Sequence, residues 1–278
     1  MRHGLAAVLM LCWALAQGAS APAPAPLRVG VLPYLSPRTL LLQYAPLRLY
    51  LQQQLRCEVE VRTAPDLARF LSRTHQHGYD VVLTAPHFAR LAQLEHGFLP
   101  LTAVRADFYA LVLVPRESPA VNLRDLRGQA LHLPHRLSFV SLKVEDFLAQ
   151  RGVDTRYDLR AYYYSTDNNA VLALANSRNG AAAAQRAVFD SMPGEIRDGL
   201  RILGSTQSAL SLIVLADPQL APARLRDLTA ALERFPYTEA GLQFFQTSHS
   251  EFVPADAATM AQLDAFQERL QMRLTDGH

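Results

Sequence analysis

Short apolar runs alternate with amphipathic stretches through the first third of the chain, and this alternation constrains the fold more than any other feature. The first amphipathic stretch begins at Ser36-Pro37, a cap residue followed by proline, and Pro46 predicts a kink within it. The second begins at Thr63, which we predict to be its cap. Strand–helix repetition of this kind is typical of a doubly wound α/β unit with a parallel sheet. The apolar runs themselves lie at 27–32, 57–62 and 79–83.

The pattern then changes and a second α/β series follows. Strand-like runs at 99–105 and 109–114 have no helix between them, and the new series begins after Pro115. A last strong strand is predicted at 210–215, and the chain from Ala223 onward is predicted to be helical. A chain of 278 residues is long enough for two domains. We therefore predict an α/β protein of two lobes with a ligand cleft between them, a preferred position for a small molecule.

The order of the predicted strands makes the first lobe discontinuous. Lobe one is expected to comprise 27–107 and 210–278, whereas 108–209 would form the crossing strands and lobe two. The two crossings are predicted at about 108–115 and 206–215. Two lobes joined in this way can close around a ligand by hinge motion at the crossings.

The N-terminus has the layout of a secretory signal peptide. An apolar run at 5–16 is followed by small residues and an A-x-A cleavage pattern at 19–21. We predict a signal peptide at 1–21, an Ala-Pro leader at 22–26 and export to the periplasm. Cleavage leaves Cys57 as the only cysteine, so we expect no disulfide within the mature chain and a buried strand position for Cys57.

Composition and motif content argue against several classes of function. The formal net charge is only +2, which does not suit a nucleic-acid-binding surface. No apolar run after the N-terminal one approaches the ~20 residues of a membrane-spanning helix. The sequence contains no G-x-S-x-G elbow, and its closely spaced histidines lack an accompanying cluster of cysteines or carboxylates. We therefore expect a monomer that is not an enzyme and holds neither a metal nor a cofactor.

Helix starts supply the first candidate ligand contacts. Ser138 precedes an amphipathic helix, where it is either an ordinary N-cap or part of an anion site made by free backbone N–H groups. Ser141 adds a hydroxyl one turn further on. Thr166 and Asp167 precede the helix at 169–178, where Asp167 is either the N-cap or a ligand contact. An ionised Asp167 would oppose a bound anion unless a ligand proton lay between them.

Four further candidates lie at strand ends. Tyr34 follows the first strand, and Tyr109 lies at a crossing. Thr84 and His87 flank a strand-to-helix turn, where His87 is either a surface residue or a donor to an oxyanion. The carboxyl ends of parallel strands meet at the ligand-binding edge of an open α/β sheet, which is why these positions are candidates.

Six segments stand out by their order and spacing: VGVLPY at 29–34, YAPL at 44–47, YL at 50–51, YDVV at 79–82 with AP at 85–86, LRDLRGQ at 123–129 and NNAVLALAN at 168–176. They resemble the substrate-binding proteins of phosphate, phosphite and phosphonate ABC transporters. Together they cover about 27–250 in the order found in that family. The resemblance implies a type 2 periplasmic-binding fold, an oxyanion ligand, an ABC permease as partner and a ligand contact for Tyr109.

The sequence departs from that family at three places. The family begins its second-lobe helix with Ser-Thr-Ser-Gly, whereas this chain reads SFVS at 138–141 and keeps only the first hydroxyl. Asp167 stands where the family often has a histidine. An acidic residue of the family aligns with Gly180, and its absence implies that an amine-bearing phosphonate would find no counter-charge.

The sequence therefore predicts an exported solute-binding protein that captures a small oxyanion for an ABC transporter. The alternative is a periplasmic ligand-sensing partner of a histidine kinase with the same fold.

Overall fold

The computed structural model describes residues 24–207 and 209–275. The predicted signal peptide at 1–21 lies outside the described residues, as do the first two residues of the leader at 22–26. In the part that the structure describes, we find no helix with the length and apolar character needed to cross a membrane.

Twelve α-helices and eleven β-strands are present in the described residues. The helices are α1 (Pro37–Gln43), α2 (Ala45–Leu55), α3 (Leu67–His75), α4 (Pro86–His96), α5 (Phe139–Ala149), α6 (Asp167–Ser177), α7 (Arg186–Asp190), α8 (Gly194–Asp198), α9 (Pro222–Arg234), α10 (Glu239–Ser248), α11 (Ala257–Ala261) and α12 (Asp264–Thr275). The strands are β1 (Leu27–Val31), β2 (Val59–Arg62), β3 (Val81–Thr84), β4 (Leu99–Phe108), β5 (Ala110–Pro115), β6 (Ala130–Leu133), β7 (Arg160–Tyr163), β8 (Ala181–Gln185), β9 (Leu200–Ser205), β10 (Ala209–Ala216) and β11 (Ser250–Val253).

The first sheet has the strand order β11-β4-β10-β3-β1-β2 and belongs to lobe one. Strand β1 pairs in parallel with β2 and β3, as the strand–helix alternation predicts. Strand β10 runs antiparallel to both β3 and β4, and β11 runs antiparallel to β4. The sheet is therefore mixed: the three strands of the alternating segment are parallel, as predicted, and β4, β10 and β11, which lie outside that segment, are antiparallel.

The second sheet has the order β7-β6-β8-β5-β9 and belongs to lobe two. Strand β6 pairs in parallel with β7 and β8, whereas β5 is antiparallel to β8 and β9. Strands β9 and β11 were not predicted, and β11 corrects the expectation that the chain is wholly helical from Ala223. Both are short edge strands whose conformation is set by the neighbour they pair with more than by their own residues.

The chain passes between the sheets at two adjacent points. Strand β4 ends at Phe108 and β5 begins at Ala110, while β9 ends at Ser205 and β10 begins at Ala209. The Thr206 N–H donates to the Ala110 carbonyl at 2.9 Å, and the Ala110 N–H donates to Thr206 Oγ1 at 3.0 Å. Hydrogen bonds thus tie the two crossings to each other.

Two predicted helix starts are confirmed and one is wrong. Ser36 caps α1 and Ser138 caps α5. Thr63 is not a cap, because its hydroxyl donates to the Val31 carbonyl at 2.9 Å. Asp66 caps α3 instead, since its carboxylate accepts from the backbone N–H of the third helical residue at 2.7 Å.

Two local expectations in lobe one need adjustment. The helix expected to kink at Pro46 is broken at Tyr44 into α1 and α2, with Pro46 in the first turn of α2. Proline is tolerated there because its missing N–H has no partner in a first turn. Cys57 is buried as expected, but it lies in the turn before β2, which begins at Val59.

The largest apolar cluster is continuous from one lobe to the other. It includes Phe88 and Phe108 of lobe one, Leu131 and Phe139 of lobe two, and Leu270 of α12. The two lobes therefore share a packed core at the base of the cleft.

Helix α12 contacts both lobes through ion pairs as well as apolar residues. Arg90 of α4 pairs with Asp264 at 2.6 Å, and Arg273 pairs with Glu145 of α5. Burial raises the pKa of Glu145, and the Arg273 guanidinium works against that rise. A helix that the sequence assigned to lobe one thus also stabilises lobe two.

We expect Arg273→Leu to lower the free energy of unfolding by about 3 kcal/mol, because Glu145 would remain buried without its partner. The side chains of this pair are only 16% and 12% exposed. Arg105→Leu is the control, since Arg105 and Glu251 are each 61% exposed and such pairs contribute less than about 1 kcal/mol. Urea denaturation of both variants measures the difference, and equal losses would contradict a special role for the Arg273 pair.

Candidate functional site

A cavity of about 710 Å³ lies between the two lobes. Three helices of eleven residues each begin at its wall, α4 from lobe one and α5 and α6 from lobe two. These helices follow β3, β6 and β7, so the carboxyl ends of strands from both sheets face the same space.

The helix starts give the cavity a positive electrostatic character without charged side chains. The first N–H groups of a helix have no intrahelical carbonyl to pair with, and the helix dipole places positive partial charge there. His87 and Phe88 of α4 and Phe139 and Val140 of α5 belong to these first turns and line the cavity. No lysine or arginine is among the described residues that line it.

Ser138 lines the cavity, whereas Ser141 does not. Ser138 Oγ accepts from the Ser141 N–H and donates to Ser141 Oγ, both at 3.1 Å. Ser141 is fully buried, and its hydroxyl donates to the Pro134 carbonyl at 3.0 Å. Ser141 therefore stabilises the start of α5, and the expectation that it contacts ligand is not supported by its position.

Asp167 lies in the cavity wall but is not the N-cap of α6. Thr166 is the cap, because its hydroxyl accepts from the Asn169 N–H at 3.2 Å. Asp167 is the first helical residue, and its Oδ2 accepts from the Gln185 N–H at 2.7 Å. Burial raises the pKa of Asp167 to about 6, against the lowering effect of hydrogen bonds from the backbone N–H groups of Gln185 and of Asp167 itself.

His87 joins the two lobes across the base of the cavity. It is fully buried, and Nε2 lies 2.9 Å from the Leu137 carbonyl oxygen. A carbonyl only accepts, so Nε2 carries the proton and donates it. Burial lowers the pKa of His87 to about 3, and the neutral ring stacks on Phe139 at 5.2 Å. His87 is thus neither a surface turn residue nor a free donor for an oxyanion, because its N–H is already used.

Tyr34 lines the cavity at its lobe-one rim and is 42% exposed. Its hydroxyl is 3.0 Å from that of Tyr44, which is buried behind it. Burial raises the pKa of Tyr44 well above its usual value, so this hydroxyl stays neutral and can donate. The pair presents a phenolic group to the cavity.

Thr84 and Tyr109 do not line the cavity within the described structure. Thr84 ends β3 with its side chain in the buried interior, because side chains alternate between the faces of a sheet. Tyr109 lies between β4 and β5 and packs against the apolar cluster around Leu111 in lobe two. The ligand contacts expected for these two residues are therefore not supported by their positions.

Gly180 also lies away from the cavity, at the opposite end of β8 from Gln185. Its φ of +89° is in the left-handed region, and a Cβ there would be 2.3 Å from the Ala130 carbonyl oxygen. No side chain fits at this position. The missing acid at 180 therefore says nothing about amine-bearing ligands, and Asp167 is the carboxylate that the cavity contains.

The cavity lining includes polar residues that the sequence reasoning did not select as ligand contacts. Ser165 and Asn168 adjoin the predicted Thr166 and Asp167, and Gln185 ends a predicted strand at its carboxyl end, so a signal existed for these three. Three serines come from the C-terminal part of the chain, where no motif marks them: Ser211, Ser248 and Ser250. Gln43, His135 and Ser191 line the cavity as well.

Metal ligation finds no support among the residues that the structure describes, since none of their His, Cys, Asp and Glu side chains form a group of three suited to an ion.

Two α/β lobes with a cavity between them are the architecture of the periplasmic-binding-protein fold class. The chain belongs to the family described as the periplasmic substrate-binding proteins of phosphonate ABC transporters, which it matches over residues 29–260. No curated protein sequence matches the chain significantly.

Solved structures of low sequence identity share the fold. XAC2383 from Xanthomonas citri, bound to chloride, is 21% identical, with 91% of this chain and 99% of that chain covered and a TM-score of 0.75. PhnD1 from Prochlorococcus marinus, in complex with methylphosphonate, is 15% identical, with 88% and 98% covered and a TM-score of 0.72. The alkanesulfonate-binding protein SsuA from Xanthomonas axonopodis pv. citri, bound to MOPS, is 19% identical, with 88% and 92% covered and a TM-score of 0.65.

A histidine kinase sensor domain with similarity to periplasmic binding proteins matches as well. It is 18% identical, with 80% of this chain and 95% of that chain covered and a TM-score of 0.56.

We expect Asp167→Asn to stabilise the protein by about 3 kcal/mol at pH 8 and by less than about 1 kcal/mol at pH 4. The folded pKa of about 6 lies above the usual 3.8, so the folded state holds more protons between these values. The stability of the wild type therefore falls as pH rises through this window, and asparagine removes that loss while it can still accept from Gln185. Urea denaturation at both pH values measures the effect.

Asp256→Asn is the matched control with the opposite sign. The Thr259 N–H lowers the pKa of Asp256, so its ionised form is favoured in the folded state. This variant is expected to be less stable than the wild type at pH 8. A wild-type-like pH dependence in Asp167→Asn would contradict the burial of an ionisable carboxyl group in the cavity.

Proposed function

We propose that this protein captures a phosphonate or a closely related oxyanion between its lobes and delivers it to an ABC permease. The observation that carries the proposal is the convergence of the starts of α4, α5 and α6 on one cavity. An anion placed there meets free N–H groups and the positive ends of three helix dipoles at once. Membership of the phosphonate-transporter family supports the same ligand class and a permease as the partner.

The acidic side chain in the cavity favours an oxyanion that carries a proton. An ionised Asp167 repels a fully deprotonated anion but accepts a hydrogen bond from a protonated oxygen. A phosphonate retains a titratable proton near neutral pH, whereas a sulfonate has none. This chemistry favours a phosphonate over a sulfonate of the same size, although sulfonate-binding proteins share the fold.

We expect Ser138→Ala to weaken the binding of methylphosphonate about 10- to 100-fold. In the complex the Ser138 hydroxyl would exchange its hydrogen bond to Ser141 for one to the charged ligand, worth ~1.5–3 kcal/mol. Titration calorimetry measures the affinity, with methanesulfonate and phosphate as comparison ligands.

Thr238→Ala is the matched control, because Thr238 caps α10 in the same way but does not line the cavity. Each variant loses a helix cap and is expected to lose ~1 kcal/mol of stability. Only Ser138→Ala is expected to lose affinity. Equal affinities in the two variants would place the anion elsewhere, and no binding of any oxyanion by the folded wild type would overturn the proposal.

Delivery to a permease requires export, which the predicted signal peptide would direct. We expect protein recovered from the periplasm to begin near Pro22, because the small residues at 19–21 match a cleavage site. Intact-mass spectrometry measures the N-terminus directly. An intact Met1, or a lipid mass on Cys12, would contradict export as a free periplasmic protein.

A ligand-sensing partner of a histidine kinase is the second candidate function. The observation that favours it is the shared fold of a histidine kinase sensor domain. Ligand-dependent binding to a permease complex reconstituted in vesicles supports transport, whereas ligand-dependent binding to a kinase ectodomain supports sensing.

A further inference from the structure

The cavity is much larger than a small oxyanion and is largely apolar on one side. Its volume of about 710 Å³ falls in the range of ~300–1,000 Å³ that is typical of sites for organic ligands. The polar groups Ser138, Thr166 and Asp167 lie on the lobe-two side, where the proposed function places the anionic group.

An apolar recess forms the lobe-one side. We define it by Leu47 of α2, Leu212 of β10, Phe244 of α10 and Phe252 of β11. Leu47 and Phe244 are buried in the core beneath it, and Phe244 packs against Tyr44 with ring centroids 5.7 Å apart. Leu212 and Phe252 are only partly buried and pack on the same core. The recess is thus an apolar surface that is continuous with the core and lines the cavity.

The three serine hydroxyls beside the recess do not offer protons to an anion, and the phenolic group of the Tyr34–Tyr44 pair lies at the rim. Ser211 Oγ donates to the Val104 carbonyl at 3.0 Å, and Ser248 Oγ donates to the Phe244 carbonyl at 2.8 Å. Ser248 has then used its only proton, so Ser250 Oγ, at 2.6 Å from it, is the donor of that pair. All three protons are therefore used within lobe one, and the recess suits an apolar group rather than a second anionic one.

We infer that the ligand is an organic oxyanion with an apolar substituent larger than methyl, whose anionic group faces lobe two and whose substituent fills the recess. The inference rests on the proposed function and adds the class of substrate. A phosphate or methylphosphonate ion would leave the apolar walls facing water, whereas an alkyl or aryl substituent removes both surfaces from water. The four side chains that define the recess are uncharged, which suits an uncharged substituent.

A series of ligands that differ only in the substituent tests the inference. Titration calorimetry with phosphate, methylphosphonate, n-butylphosphonate and n-hexylphosphonate measures the dependence on chain length. We expect affinity to rise about four-fold per methylene group, which corresponds to ~0.8 kcal/mol, so butylphosphonate should bind about 50-fold more tightly than methylphosphonate. Phosphate should be the weakest ligand.

A bulky side chain in the recess should remove the increase in affinity with chain length and leave methylphosphonate binding nearly unchanged. We expect Leu212→Trp to weaken hexylphosphonate binding at least about ten-fold and to change methylphosphonate binding less than about three-fold. Leu49→Trp is the control, because Leu49 is exposed on α2 and does not line the cavity. Thermal unfolding of both variants verifies that they fold.

The outcomes separate the two proposals. Affinity that is independent of chain length, or that falls from methyl to hexyl, overturns the apolar substituent and leaves phosphonate capture intact. An equal loss for methyl- and hexylphosphonate in folded Leu212→Trp overturns the assignment of the substituent to the recess. Failure of the wild type to bind any phosphonate overturns the proposed function, and the inference with it.

Discussion

The antiparallel pairing of β10 with both β3 and β4 is the interaction on which the arrangement of the lobes depends. Strand β10 follows lobe two in the chain yet occupies an interior position of the lobe-one sheet, so the chain must leave that sheet and return to it. The crossing from β4 to β5 and the crossing from β9 to β10 therefore lie side by side. Thr206 and Ala110 form hydrogen bonds between these two crossings. This paired crossing holds the carboxyl ends of strands from both sheets at one cavity.

The electrostatics of the cavity follow from the backbone more than from side chains. Its lining includes no lysine or arginine in the described structure, and burial keeps His87 neutral. Three helix starts supply the positive potential, while Asp167 supplies a negative group whose burial raises its pKa to about 6. An anion that keeps one proton suits both the helix starts and Asp167. Its negative charge faces the helix starts, and its protonated oxygen donates a hydrogen bond to the Asp167 carboxylate.

Contacts between the lobes constrain how the cleft can open. The His87 N–H donates to the Leu137 carbonyl from one lobe to the other, and the largest apolar cluster continues across the same boundary. Helix α12 adds ion pairs to both lobes through Arg90 and Glu145. Opening must break the His87 hydrogen bond or bend the paired crossings, so the lobes are coupled mechanically at the base of the cleft.

The sequence by itself determined the α/β class, the caps at Ser36 and Ser138, and the position of Thr166 and Asp167 at a helix start, because local patterns govern these features. It gave no sign that Thr84, Tyr109 and Ser141 lie outside the cavity lining, since the direction in which a side chain faces depends on packing. It also missed β9, β11 and the serines beside the apolar recess, because a short edge strand and a cavity wall exist only through partners distant in the chain. Only the tertiary structure brought α2, β10, α10 and β11 together, since the long-range pairing of β10 and β11 with β4 is what closes that side of the cavity.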